Sequence, residues 1–128
     1  QARYRFSGLE DVSDSLKGNN LPGIPSTQVF MQLEFSTPST WQFQLTAEHI
    51  GRLFANNQNT VAINAYQKVR LQTSKGIALS WGELSFFGGV NNLFDVRYFD
   101  NIRLNAFGSR HYESAPGRNL FGGLSIAF

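Results

Sequence analysis

Two neighbouring stretches of this chain, residues 28–35 and 41–48, alternate between apolar and polar side chains, with Phe30 as the one apolar residue out of step. Their apolar members are Val29, Met31, Leu33 and Phe35, followed by Trp41, Phe43, Leu45 and Ala47. A repeat of two places these side chains on one face of a β-strand, whereas an α-helix would scatter them around its circumference. The short Pro/Ser/Thr segment at residues 36–40 predicts that the two strands pair as an antiparallel hairpin.

The same period recurs less regularly along the rest of the chain and predicts an all-β fold. No segment combines helical periodicity with helix caps. Six strands are predicted, at residues 2–7, 28–36, 41–54, 63–79, 84–92 and 118–128. Lys75 and Gly76 interrupt the fourth strand, and there we expect a bulge, with Lys75 snorkelling towards a polar boundary.

The connections between the predicted strands alternate in length. Tight turns follow the second and the fourth strand, whereas residues 8–27, 55–62 and 93–117 form long polar connections. This series is typical of a transmembrane β-barrel, which has short periplasmic turns and long extracellular loops. The residues therefore predict an antiparallel up-and-down meander of about six strands, with all its long loops at one end.

The apolar face of the strands can meet either lipid or a protein interior. Charged residues make up 16% of the chain, against roughly 25% in ordinary globular proteins, and Asn and Gln supply much of the polar surface. In an outer-membrane barrel the apolar face meets lipid and the amides line the lumen. In a small soluble β-barrel, such as a lipocalin-like carrier of an apolar ligand, that face points inward. Trp41 and Trp81, which lie beside the short turns, favour the membrane interpretation.

Several classes of function are excluded or disfavoured by the residues that carry chemistry. The chain has no Cys, which excludes disulfides and thiolate nucleophiles. His49 and His111 are far apart in sequence, so neither a metal site nor a cofactor is expected. The net charge is only +2, and no block of Lys and Arg indicates nucleic-acid binding. If the polar face lines a lumen, Glu34 and Glu48 are expected to pair with arginines of a plug or of the barrel wall rather than to form a catalytic pair, so we do not expect an enzyme.

Three motifs occur in an order that resembles the C-terminal end of TonB-dependent outer-membrane receptors. They are GNNLPGIP at Gly18–Pro25, GGVNNLFDVRY at Gly88–Tyr98 and APGRNLFGGLSIAF at Ala115–Phe128. The resemblance covers essentially the whole chain. It implies that residues 1–128 are the C-terminal segment of a roughly 22-stranded transmembrane β-barrel domain. Nothing here resembles the plug domain of that family, so we expect a piece of a longer receptor.

The resemblance also implies a non-enzymatic role in import across the outer membrane of a Gram-negative bacterium. The ligand of such a receptor is a scarce compound, such as a ferric siderophore, haem or cobalamin. The expected partners are a TonB-type inner-membrane energy-transducing protein acting through the plug, the barrel-assembly machinery, outer-membrane lipid and a small-molecule metal chelate.

The last long connection carries a set of Arg, Tyr and His residues suited to an anionic chelate. Guanidinium groups bind carboxylates through paired hydrogen bonds, and aromatic rings stack on planar ligands. We therefore expect ligand contacts from Arg97, Tyr98, Arg103, Arg110, His111 and Tyr112. Arg118 is expected to be structural. The resemblance further implies an assembly signal at Gly123, Leu124, Ile126 and Phe128, in which Phe121 replaces the usual polar residue.

Overall fold

The structure, a computed structural model, describes residues 14–107 and 112–128, which are all-β apart from a 3-10 turn at Asp14–Leu16. The strands in chain order are β1 (Gln28–Ser36), β2 (Trp41–Ile50), β3 (Leu53–Phe54), β4 (Ala62–Ile63), β5 (Tyr66–Leu79), β6 (Gly82–Asn91), β7 (Phe99–Ile102), β8 (Tyr112–Ser114) and β9 (Asn119–Ala127). The strand predicted at residues 2–7 lies outside the described residues. None of the described helical segments is long and apolar enough to cross a membrane.

The five long strands form one sheet in the order β1-β2-β5-β6-β9. Long strands that follow one another along the chain are therefore neighbours in the sheet, and the pairs β5–β6 and β6–β9 are antiparallel. β1 and β9 are the two edges of this sheet. The antiparallel up-and-down meander predicted from the alternation is confirmed.

The chain divides into two compact units. The first, called the loop unit, takes its described residues from Gln1–Val29, His49–Tyr66 and Arg97–Ala115. The second, called the sheet unit, comprises Phe30–Glu48, Gln67–Val96 and Pro116–Phe128. Each of the three long connections contributes to the loop unit, whereas both tight turns belong to the sheet unit.

The third predicted strand, at residues 41–54, is broken after Ile50. The next amide, the N–H of Gly51, donates to the carbonyl oxygen of Thr27 at 2.7 Å. Thr27 directly precedes β1, so this bond lies next to the ends of β1 and β2. The following residues form the short pair β3–β4, in which Leu53 lies opposite Ile63, and β5 begins only at Tyr66.

The prediction of a bulge at Gly76 is wrong, because β5 pairs with β6 there without one. The pairing of β5 with β6 runs without a register shift past this residue. Lys75 keeps its place in the alternation, opposite Phe86, on the face that also carries the apolar residues of β5. The charge of Lys75 within an apolar row was therefore mistaken for an interruption of the strand. β6 also begins two residues earlier than predicted, at Gly82.

One face of the long sheet is apolar, and its side chains are exposed. Phe35 in β1 is 65% exposed and Leu120 in β9 is 79% exposed. All buried apolar side chains of the described residues lie in the loop unit, namely Ile50, Leu53, Ala55 and Ile63. A sheet in a water-soluble domain buries its apolar face. A soluble carrier would enclose the apolar side chains of this face, and such enclosure is not seen in the described part of the chain.

Phenylalanine rings cover glycines on the opposite, polar face of β6 and β9. Phe121 pairs with Gly89, and Phe87 pairs with Gly123. A Cβ atom at Gly123 would lie only 2.5 Å from Cζ of Phe87, so the ring occupies the space that a larger residue would need. The guanidinium of Arg70 lies 4.9 Å from the centroid of the Phe121 ring. These contacts give Phe121 a packing role at the position where the sequence resemblance implies a polar residue.

Gly123→Ala should therefore destabilise the folded protein by about 1–3 kcal/mol, the usual cost of overpacking a filled site. Gly88→Ala is the matched control, because a Cβ there meets only the Phe121 carbonyl oxygen, at an ordinary 3.5 Å. Denaturant titration of both variants measures the difference. Equal stabilities for the two variants would show that the Phe87 ring does not fill this space.

The loop unit combines a small apolar core with a network of asparagines. Val61, Tyr66, Phe99 and Ile102 pack around the four buried core residues. The asparagines that link the connections to one another are Asn19, Asn20, Asn57, Asn59 and Asn105. For example, Asn20 N–H donates to Oδ1 of Asn59 at 2.8 Å, and Nδ2 of Asn59 donates to the Asn20 carbonyl at 2.9 Å. Asn59 and Asn105 both have positive φ, which asparagine tolerates better than most residues.

Candidate functional site

Four of the six predicted ligand residues lie in the described part of the loop unit. They are Arg97, Tyr98, Arg103 and Tyr112; Arg110 and His111 lie outside the described residues. The hairpin of β7 and β8, which the sequence did not predict, positions this segment by pairing Ile102 with Tyr112. Its register shifts between Phe99 and Asn101, so the alternation typical of a longer strand is absent here.

Two aromatic pairs lie in the loop unit, one stacked and one tilted. The rings of Tyr98 and Tyr66 are stacked with their centroids 4.8 Å apart. The rings of Phe99 and Tyr112 are 4.1 Å apart, and Tyr112 is 46% exposed. Stacked rings of this kind present flat apolar surfaces with polar hydroxyl edges. Such surfaces suit the planar parts of an aromatic or chelating ligand.

Arg103 is engaged by an ion pair within the hairpin. Its Nη2 lies 2.7 Å from Oε1 of Glu113, and the two side chains are 61% and 56% exposed. Nδ2 of Asn101 donates to the other carboxylate oxygen of Glu113 at 3.3 Å. An exposed pair of this kind contributes about 0–1 kcal/mol to stability. Its main effect is to neutralise the charge of Arg103.

Arg97 differs from Arg103 in its surroundings. It is exposed, and within residues 14–107 and 112–128 no side chain forms a hydrogen bond or ion pair with it. Its guanidinium retains all of its donors for an anion. Of the predicted residues that are described, Arg97 is therefore the best suited to bind a carboxylate or hydroxamate oxygen.

The turn after β6 explains why the motif NNLFD contains its particular residues. Nδ2 of Asn92 donates to the Val96 carbonyl at 2.9 Å, and Val96 N–H donates back to Oδ1 of Asn92 at 2.9 Å. Oδ1 of Asp95 accepts a hydrogen bond from the backbone N–H of Arg118 at 2.7 Å. The two Asn92 bonds close the turn, and the Asp95 bond joins this turn to the start of β9. This bond uses the backbone of Arg118, so the structural role expected of its side chain stays a prediction.

The two glutamates on the polar face of the sheet bind neighbouring polar side chains. Oε2 of Glu48 lies 2.9 Å from Nζ of Lys68. Oε1 of Glu34 accepts hydrogen bonds from the amides of Gln32 and Gln44, at 2.7 Å and 3.1 Å. Glu48 thus pairs with a lysine of the same sheet rather than with the expected arginine, and Glu34 is held by amides.

Metal-ligating residues do not gather anywhere in the described part of the chain. No group of three or more His, Asp or Glu side chains there could hold a metal ion. Nδ1 of His49, at the end of β2, is buried and has no hydrogen-bond partner among the described residues. One such nitrogen does not make a metal site.

Comparisons with known proteins relate the chain to two solved transport proteins. A scan against known protein families finds no match. The structure of the ferric citrate transporter FecA in its unliganded form is similar, with a TM-score of 0.77, 21% sequence identity and 89% of this chain covered. The structure of BauA, the ferric preacinetobactin receptor from Acinetobacter baumannii, gives a TM-score of 0.73 at 14% identity over 91% of this chain.

The chain spans only a small part of either protein, 18% of the length of FecA and 17% of BauA. At these sequence identities the likeness establishes the fold. The described residues therefore have the fold of an antiparallel barrel-wall segment that is shared with these two proteins.

Proposed function

We propose that this chain is the C-terminal segment of the barrel domain of a TonB-dependent outer-membrane receptor that imports a ferric chelate. The observation that carries the proposal is a meander sheet whose apolar face has exposed large side chains in all five long strands, in a fold shared with a ferric citrate transporter and a ferric preacinetobactin receptor. In the outer membrane of a Gram-negative bacterium, lipid covers this face, and the short turns lie at the periplasmic rim.

The edges of the sheet support a longer barrel. β1 and β9 each present one row of backbone groups without a neighbouring strand in the described residues. In lipid an unpaired backbone group costs several kcal/mol, so two open edges cost tens of kcal/mol, against a total domain stability of about 5–15 kcal/mol. Further strands of the receptor therefore flank both edges, and a plug fills the lumen.

The loop unit supplies ligand contacts under this proposal. Arg97 binds the anionic chelate directly, since Arg103 is already neutralised by Glu113. Tyr98, which is stacked on Tyr66, and Tyr112, which is tilted against Phe99, present their rings to the planar groups of the ligand. Arg110 and His111, in the same segment, complete the proposed set. The chain has no catalytic role, and the TonB-type inner-membrane protein acts through the plug.

The last strand carries the assembly signal that the barrel-assembly machinery reads. Leu124 and Ile126 lie on the apolar face, opposite Phe86 and Leu84 of β6. The other two members of the proposed signal are Gly123 and Phe128. The ring centroids of Phe128 and Trp81 are 5.7 Å apart, at the short-turn rim.

Binding of ferric chelates to the complete receptor tests the proposal. Ferric citrate and ferric preacinetobactin serve as probes, each labelled with radioactive iron. We expect Arg97→Ala to weaken binding of the preferred chelate at least about ten-fold, because a charge-assisted hydrogen bond is lost.

Arg52→Ala is the matched control for this experiment. Arg52 also lies in the loop unit, where its guanidinium is 5.1 Å from the centroid of the Phe54 ring. Removing it eliminates the same charge outside the proposed set, and we expect binding to change by less than about two-fold. Equal losses in the two variants would contradict a specific role for Arg97. Failure of the inserted receptor to bind either chelate would contradict ferric-chelate import.

A further inference from the structure

Lys75 is a charged residue on the otherwise apolar face of the sheet. The register of β5 and β6 places it opposite Phe86, in the same row as Leu71 and Ile77. Phe86 is in turn paired with Leu124 of β9 on this face. A charge facing lipid costs about 2–4 kcal/mol at the bilayer midplane and about 0–1 kcal/mol near the interfaces. Such a residue therefore belongs near an interface.

The only interaction described for the Lys75 ammonium group is with Trp41. Nζ lies 5.1 Å from the centroid of the indole ring. Within residues 14–107 and 112–128 no hydrogen bond or ion pair accompanies this contact. The ring attracts the positive charge but accepts no conventional hydrogen bond. The three N–H donors of the ammonium group therefore have no hydrogen-bond acceptor among the described residues.

The Lys75–Trp41 pair lies at the level of a short turn. Trp41 is the first residue of β2, directly after the turn at residues 37–40. Oγ1 of Thr40 donates to the Gly76 carbonyl at 2.7 Å, which fixes this turn beside Lys75. The ammonium group therefore lies at the level of the turn between β1 and β2, where the apolar row of β2 begins.

Aromatic rings continue from this pair along the apolar face. The Trp41 and Phe43 rings are stacked with centroids 6.1 Å apart, and Phe43 lies 6.4 Å from Phe35. All three rings are exposed. A cation at the end of an exposed apolar row matches an amphipathic ligand that has a negative head and a hydrocarbon tail.

We propose that Lys75 and Trp41 bind the phosphate headgroup of an anionic glycerophospholipid in the periplasmic leaflet. The phosphate accepts hydrogen bonds from the ammonium group, and one acyl chain lies along Phe43 and Phe35. The inference rests on the proposed function, which places this face in lipid. It adds a lipid-binding site with a charge preference on the outer wall of the barrel, separate from the loop unit and its ligand.

Quenching of Trp41 fluorescence by brominated lipids tests the site in the complete receptor. The receptor is reconstituted into vesicles of phosphatidylcholine and phosphatidylglycerol, with either lipid brominated. The Trp41 contribution is the emission that Trp41→Phe removes. We expect phosphatidylglycerol to be preferred, and Lys75→Gln to lower that preference about five-fold, the value of one lysine near an anionic surface.

Two variants control for charge and folding. Lys75→Arg keeps the cation and should retain the preference. Lys68→Gln removes a charge from the same strand but from the polar face, where Lys68 pairs with Glu48 at 2.9 Å, and should leave the preference unchanged. A preference that is the same in the unmodified receptor and in Lys75→Gln would overturn the proposed site while leaving the barrel intact. Absence of quenching by either lipid would instead show that this face does not meet lipid.

Discussion

Replacing Leu124 with arginine should sharply reduce the amount of receptor that folds into a membrane, whereas arginine at the adjacent Ser125 should be tolerated. Leu124 is 66% exposed and lies opposite Phe86 on the apolar face. Ser125 lies opposite Ser85 on the other face. An arginine facing lipid costs up to about 2–4 kcal/mol, depending on its depth in the bilayer, which is a large fraction of the stability of a typical domain. Urea titration of folding into lipid vesicles measures the difference between the two variants.

Nitroxide labels at the same two positions distinguish an apolar face that meets lipid from one that is enclosed in protein. The chain has no cysteine of its own, so Leu124→Cys and Ser125→Cys each provide one labelling site within it. In lipid vesicles the label at position 124 should collide with oxygen more than with a water-soluble nickel complex, and the label at 125 should show the reverse. A label at position 124 that neither reagent reaches would contradict the lipid-facing assignment, because an interior stripe is shielded from both.

The long strands could be predicted from the sequence because their physical cause is local. Alternation along β1 and β2 directly reflects two faces in different environments, and β1 was predicted with its observed bounds, Gln28–Ser36. The error at Gly76 has the same origin. Alternation treats a charge as a polar residue, and it cannot anticipate that Trp41 on the neighbouring strand accommodates Lys75 within the apolar row.

The loop unit could not be predicted because its contacts join residues that are distant in sequence. Nδ2 of Asn19 donates to the carbonyl of Asn57, 38 residues away. The amide of Asn57 in turn donates to Oδ1 of Asn105, 48 residues away. Asparagines in polar connections carry no period, so neither this network nor the β7–β8 hairpin leaves a pattern in the sequence. The asparagine-rich stretch at residues 56–59 was the only available indication.

The predicted ligand set was chosen by residue type, and the structure distinguishes its members. Arg97 and Arg103 are equivalent in sequence terms, yet only Arg103 is paired with a carboxylate in the described residues. That pairing depends on the hairpin, which brings Glu113 beside Arg103. Charge compensation of this kind depends on tertiary structure, and composition alone cannot reveal it.

Asn92→Ala should be the most destabilising single truncation in the turn after β6, at about 3 kcal/mol. Asn92 is only 5% exposed, and its amide both donates to and accepts from the backbone of Val96. Alanine leaves these two backbone groups without partners, at about 1–3 kcal/mol. It also places an alanine at a φ of 50°, where a side chain other than asparagine or glycine costs roughly a further 1–2 kcal/mol. Denaturant titration of the complete receptor measures the loss.

Two further variants separate the causes of this loss. Asn92→Gly relieves the backbone strain but still lacks the amide, so it should recover about 1 kcal/mol relative to alanine. Asn91→Ala is the matched control, since its Nδ2 donates only to an exposed side chain, Oδ1 of Asn119 at 2.9 Å, and it should cost less than about 1 kcal/mol. Equal costs at positions 91 and 92 would contradict the argument, because the buried pair of backbone bonds is what distinguishes the two asparagines of the motif.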